Sequence, residues 1–171
     1  MTMLLLLVNI FSFAQEHVRS DSERRKIAFV QGFYDWYLRQ SPGNSDVWPL
    51  DTAIKNRPEL FDAPLLRALQ IDAYARAHAN GEIDGLDWDP FLNGQDYPDH
   101  YEATNVVGNS ITIIGYDHQP SQPSVSLQAE VRCTPDHCVF VNFHYPAKAD
   151  LGRSDLLKTL KLLHPTNEAK K

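Results

Sequence analysis

The sequence predicts an α+β fold: N-terminal helices packed on a curved antiparallel sheet of about four strands, with a C-terminal helix. Three observations carry this. Apolar residues recur at three- and four-residue spacing through the first half of the chain. From residue 103 to residue 145 the apolar period shortens to two. Beyond residue 150 the helical period returns. The chain has 171 residues, without an internal repeat or a dividing linker. That suits one domain, residues 15–171, with an ordered core of about 21–164.

Residues 1–14 read as a secretory signal peptide. Residues 4–13 are an apolar run, and Ser12-Phe13-Ala14 is a small-x-small cleavage site before Gln15. The run lacks the usual positive charge in front of it. It is too short for a membrane span, which needs about 20 apolar residues. The mature chain is therefore expected in the periplasm or outside the cell, with no membrane span after cleavage. A net charge of −6 argues against nucleic acid as a partner.

Residues 21–40 have the pattern of the first helix, with Ser22 as N-cap before Glu23. Ile27, Val30, Tyr34 and Tyr37 share one face, and Phe33 and Leu38 widen it. Such an aromatic stripe is usually core and only occasionally the wall of a ligand pocket. Ser41-Pro42-Gly43-Asn44 stops the helix. Asp51 caps a short helix that ends at Arg57, before Pro58. Asp62 opens the longest helix, with Pro64 tolerated in its first turn. Leu65, Leu66, Leu69, Ala73 and Ala77 recur at helical spacing, and Arg67, Asp72 and Arg76 take the other face. His78 is an exposed partner for the C-terminal dipole. Asn80-Gly81 ends the helix, since glycine accepts the left-handed conformation of a C-cap.

The stretch GEIDGLDWDPFLNGQDYPDHY, residues 81–101, joins the helical half to the sheet. It holds six acidic groups, two prolines, three glycines and four aromatics. Trp88, Phe91 and Leu92 are too apolar for a free loop and should pin it to the domain, each burial contributing roughly 2–3 kcal/mol. The carboxylates of Asp84, Asp87, Asp89, Asp96 and Asp99 would then be held close together. One reading is a site for a cation or a basic partner. The other is a packed loop whose Asp side chains accept local backbone N–H groups. The spacing does not match an EF-hand loop. The candidate partner- or ligand-binding residues are Asp84, Asp87, Trp88, Asp89, Phe91, Asp96 and Tyr97.

Gly108-Asn109 is a good hairpin turn between residues 103–107 and 110–116. Val125, Leu127, Ala129, Val131 and Cys133 alternate with polar residues in the cleanest half-buried strand. Thr134-Pro135-Asp136-His137 turns it into the last strand, residues 139–145. Cys133 and Cys138 are the only cysteines, and an even count in an exported chain favours a disulfide. A metal site from Cys133, His137, Cys138 and His144 matches no common zinc spacing. Directly opposed cysteines would place Val131 opposite Phe140 but leave Phe143 on the face of Gln128. A bulge or a diagonal disulfide would bring the two apolar rows together; alternatively both faces of the last strand are covered. The last helix spans residues 150–163, with Leu156, Leu157, Leu160 and Leu163 as its apolar side and Pro165 after it.

Two segments carry a resemblance. Phe29-Val30-Gln31-Gly32-Phe33-Tyr34-Asp35-Trp36-Tyr37 is similar to the opening helix of the YbjP-like bacterial family of secreted domains of unknown function. Gly85-Leu86-Asp87-Trp88-Asp89-Pro90-Phe91-Leu92, with Gln95-Asp96, resembles that family's most recognisable segment. The resemblance implies an exported or lipid-anchored protein with a cystatin-like, nuclear-transport-factor-two-like layout, in which a sheet wraps a long helix around a cone-shaped cavity. It implies no established activity.

The chain has no nucleophile elbow, zinc-protease helix, phosphate loop or dinucleotide fingerprint. No metal or other cofactor is expected. General acid–base work by a pocket carboxylate and a histidine remains an option, with Asp35, Asp87, Asp89 and His144 as candidates. Two functions therefore compete. One is a periplasmic binding or inhibitor module whose acidic loop meets a basic protein or a small ligand. The other is a pocket enzyme of lyase, isomerase or hydrolase type. An open cavity lined by Asp35 or His144 would favour the enzyme.

Overall fold

The computed structural model describes residues 19–40, 47–79, 84–94, 98–117, 123–146 and 154–165. The leader, residues 1–14, lies outside them. The described chain is an α+β fold. Helices α1 (Asp21–Tyr37), α2 (Pro49–Asn56) and α3 (Ala63–Ala77) precede strands β1 (His100–Val107), β2 (Ser110–Tyr116), β3 (Pro123–Cys133) and β4 (Cys138–His144), and α4 (Leu156–Leu163) follows. The strands form one antiparallel sheet in the order β1-β2-β3-β4.

The helix starts follow local capping chemistry. The N-cap of α1 is Ser20, not Ser22. Its hydroxyl accepts from the Glu23 amide at 3.2 Å, and its own amide donates to Glu23 Oε2 at 2.7 Å. That reciprocal box needs a spacing of three residues, which Ser22 does not have. Helix α2 starts at Pro49, whose fixed φ suits a first helical position, so Asp51 sits inside the first turn instead of capping. Asp62 caps α3 as expected, accepting from the Leu65 amide at 3.0 Å. Helix α3 ends at Ala77 and has 15 residues, so α1, with 17, is longer. His78 occupies the α3 C-cap, where its Nδ1 lies 2.7 Å from the Tyr74 carbonyl and its ring stacks on Tyr74. Residues 80 and 81, expected as the terminator, lie outside the described residues. Asp155, not a residue near 150, caps α4 through the Lys158 amide at 2.8 Å.

A bulge settles the register of the last hairpin. Cys133 pairs with Cys138 and Val131 with Phe140, then Glu130 pairs with Asn142. The extra residue, Val141, shifts the strand by one position and brings Phe143 opposite Ala129. Leu127, Ala129, Val131, Phe140 and Phe143 thereby share one buried face. The cysteines form a disulfide. The β4 edge is partly covered, since the Asp62 amide donates to the Phe140 carbonyl and the Tyr145 amide to the Ser154 carbonyl.

Helix α1 lies across this face and contributes Val30, Phe33, Tyr34 and Tyr37 to the core. Phe33 meets Phe91 and Phe140 edge-on at 5.3 and 4.9 Å, and Phe91 lies 5.5 Å from Phe61 and 4.9 Å from Phe143. Side chains from α1, the loop and the sheet therefore fill the space between helix and sheet.

Candidate functional site

The loop after α3 divides at Trp88. Asp84 and Asp87 are exposed, whereas Leu86, Trp88, Asp89, Phe91 and Leu92 are buried. Trp88 packs edge-on against Tyr145 at 4.8 Å. Both aromatic anchors read from the sequence, Trp88 and Phe91, lie in the core, and so does the Asp89 carboxylate between them. Asp96 and Tyr97 lie outside the described residues. The expected gathering of carboxylates does not form in the described part, because Asp89 turns inward while Asp84 and Asp87 face solvent. Among the described residues no group of three or more His, Cys, Asp or Glu is placed to hold a metal ion.

Four tyrosines explain why the segment turns inward. The Tyr37 hydroxyl donates to Asp89 Oδ2 at 2.7 Å. The next three carbonyls each accept from another tyrosine: Pro90 from Tyr145 at 2.9 Å, Phe91 from Tyr34 at 2.7 Å, and Leu92 from Tyr101 at 3.0 Å. A short irregular loop offers its carbonyls no regular ladder, and leaving a buried one unmet costs about 1–3 kcal/mol. Asp89 Oδ1 accepts the amides of Phe91 at 2.9 Å and Leu92 at 3.3 Å, an Asx-type turn. Tyr101 reaches its carbonyl by lying over Gly115, its partner on β2. A Cβ at Gly115 would sit 2.8 Å from the Tyr101 ring.

Burial dominates the electrostatics of this knot. It raises the Asp89 carboxyl from 3.8 to about 6, against the opposing effects of the Tyr37 hydroxyl, the two amides and the Arg76 charge. Burial likewise pushes the Tyr34 hydroxyl well above its ordinary value, with the neighbouring Tyr101, Tyr145 and Asp89 adding to the rise. Tyr34 is thereby kept as a donor.

A second polar centre ties the exposed part of the loop to the helices. The sequence places Asp72 and Arg76 on a polar helix face, but Asp72 is fully buried. Its Oδ1 accepts the Leu86 amide at 2.9 Å and lies 3.0 Å from His164 Nε2, while Oδ2 accepts from Arg76 Nε at 2.8 Å. Arg76 also grips Asp51 at 2.7 Å and lies 4.7 Å over the Trp48 ring. Sequence reasoning missed this cluster. Its only local signal is the four-residue spacing of Asp72 and Arg76. Asp51 and His164 come from distant parts of the chain.

The acid–base candidates are placed differently. Asp35 is exposed and accepts from Gln31 at 2.8 Å. His144 is half-buried, with Nε2 3.4 Å from Glu130 and Nδ1 3.5 Å from Asp155. Neither residue lines the groove between α3 and α4 or the one beside Cys138. No family model, curated protein or solved structure matches the chain.

Proposed function

We propose that the chain is a periplasmic or secreted binding module of inhibitor type, and that its acidic loop meets a basic protein surface or a small cationic ligand. One observation carries the reading. The carbonyls of residues 90–92 and the Asp89 carboxylate are held by four buried tyrosine hydroxyls, and the exposed Asp84 and Asp87 project from the adjoining turn. A carboxylate pair on a rigid base loses little conformational entropy on binding. Complementary charge would speed encounter and select the partner. The leader pattern of residues 1–14 and the disulfide between Cys133 and Cys138 suit an oxidising compartment. Kinship with the YbjP-like secreted domains is part of the same reading. Inhibition of a secreted cell-wall enzyme is one role that fits the compartment, size and charge.

The test is affinity capture from a periplasmic extract, with wild type beside an Asp84→Asn/Asp87→Asn variant. A basic protein held by wild type should be depleted with the variant, and the difference should shrink as salt rises. Equal recovery of every captured protein would remove the loop as the binding surface.

A further inference from the structure

A groove of about 400 Å³ runs between α3 and α4, lined by residues of the two helices and their ends and not by the acidic loop. Ala68, Ile71 and Leu160 form its apolar floor. Arg67 and Lys161 stand on its rim, one on each helix, and His164 lies at its end. Among the described residues none that lines the groove is acidic, although the chain carries 22 acidic against 16 basic residues. Arg67 and Lys161 are exposed, and neither has a carboxylate partner among the described residues. The buried Asp72 behind His164 is engaged by Arg76, the Leu86 amide and His164, and it is not among the residues that line the groove.

We propose that this groove binds a single-headed anionic amphiphile, a medium- or long-chain carboxylate, with the chain on the Ala68–Ile71–Leu160 floor and the head between Arg67 and Lys161. The volume suits one small organic molecule, since such pockets span roughly 300–1,000 Å³. A guanidinium offers the planar fork that a carboxylate fits, and an ammonium on the opposite wall adds a second charge-assisted hydrogen bond. Ile71 is 37% exposed, and an acyl chain on the floor would cover it.

The experiment is a titration of the full chain with decanoate below its micelle concentration, followed by calorimetry and by amide shifts. Decanol serves as the neutral control. Arg67→Gln/Lys161→Gln removes both charges at exposed positions, and Ala68→Leu fills the floor; thermal melts of both variants establish that they fold. Saturable decanoate binding is expected, with shifts centred on Ala68, Ile71 and Leu160. Losing both charge-assisted contacts in the double-glutamine variant should weaken it by at least about tenfold, and decanol should be weaker by a similar factor. Three results would each overturn the proposal: no saturable binding of decanoate, equal binding of decanol, or unchanged decanoate affinity in the folded double-glutamine variant. None of these bears on capture through Asp84 and Asp87, so the two readings fail separately.

Discussion

Asp89→Asn removes a buried charge and little else. Asparagine keeps a carbonyl oxygen for the Phe91 and Leu92 amides, which Asp89 Oδ1 accepts at 2.9 and 3.3 Å. Its amide nitrogen takes the place of Oδ2, and the Tyr37 hydroxyl, now 2.7 Å from Oδ2 as a donor, can rotate to accept. The packing is almost unchanged, so the effect is electrostatic. In the folded state the Asp89 carboxyl rises from 3.8 to about 6. The folded state therefore binds a proton more tightly than the unfolded state. Between those two values the folded form holds more protons, so this group's contribution falls as pH increases through the window. It is complete below about pH 4 and gone above about pH 6. A displacement of two pH units corresponds to about 3 kcal/mol.

Every other titratable group is common to both proteins, so the difference between wild type and variant is what isolates Asp89. Urea unfolding of both proteins from pH 4 to pH 8 at fixed salt measures it. The stability of the variant relative to wild type should rise with pH by about 3 kcal/mol, most of it between pH 4 and 6. A relative stability that is flat across this range would refute the argument that burial sets the Asp89 carboxyl. A variant that loses several kcal/mol at every pH would show that the Tyr37 hydroxyl cannot reverse its role.

The remaining predictions address the anchors and tethers. Gly85→Ala places a Cβ 2.6 Å from Asp72 Oδ1 at a backbone φ of +109°, and should lower stability by roughly 2 kcal/mol or more in urea unfolding. Trp88→Ala opens a cavity beside Tyr145 and should cost about 3–5 kcal/mol by the same measurement; a loss under 1 kcal/mol would show that the loop is not anchored there. Cys133→Ser/Cys138→Ser releases a loop of sequence separation 5. Its closure entropy corresponds to about 2 kcal/mol, so the thermal midpoint should drop by several degrees, as it should for wild type under reductant.

How much of this was legible follows from where each signal lives. The hairpin turn at Gly108-Asn109, the alternation of β3 and the Asp62 cap are local patterns, and each appears close to where the residues place it. The disulfide also follows from residues near one another, and pairing Cys133 with Cys138 exposes the register conflict at Phe143, but the choice of a bulge over the alternatives is made by the packing of the sheet face. Helix α3 is the contrary case. Its polar side reads as solvent-facing, yet Asp72 is buried because Arg76, His164 and the Leu86 amide converge on it. Two of those three partners lie on other segments, beyond any helical period.

The acidic loop shows the same division within three residues. Asp87 and Asp89 flank Trp88 symmetrically, so hydropathy does not tell them apart. What separates them is a set of hydroxyls on α1, β1 and the end of β4, 52 residues from Asp89 in the case of Tyr37. The sequence does hold half of this clue. The apolar stripe of α1 has Phe at 33 but Tyr at 34 and 37, and a hydroxyl on a buried face must find an acceptor. A carboxylate next to a proline, followed by carbonyls without a regular ladder, is the natural place to find it. Asp89 thus belongs to the folding of the loop, and its substitution should register in the unfolding curve. Asp84 and Asp87 remain on the outside of the same rigid turn, so only their substitution can separate a loss of binding from a loss of fold.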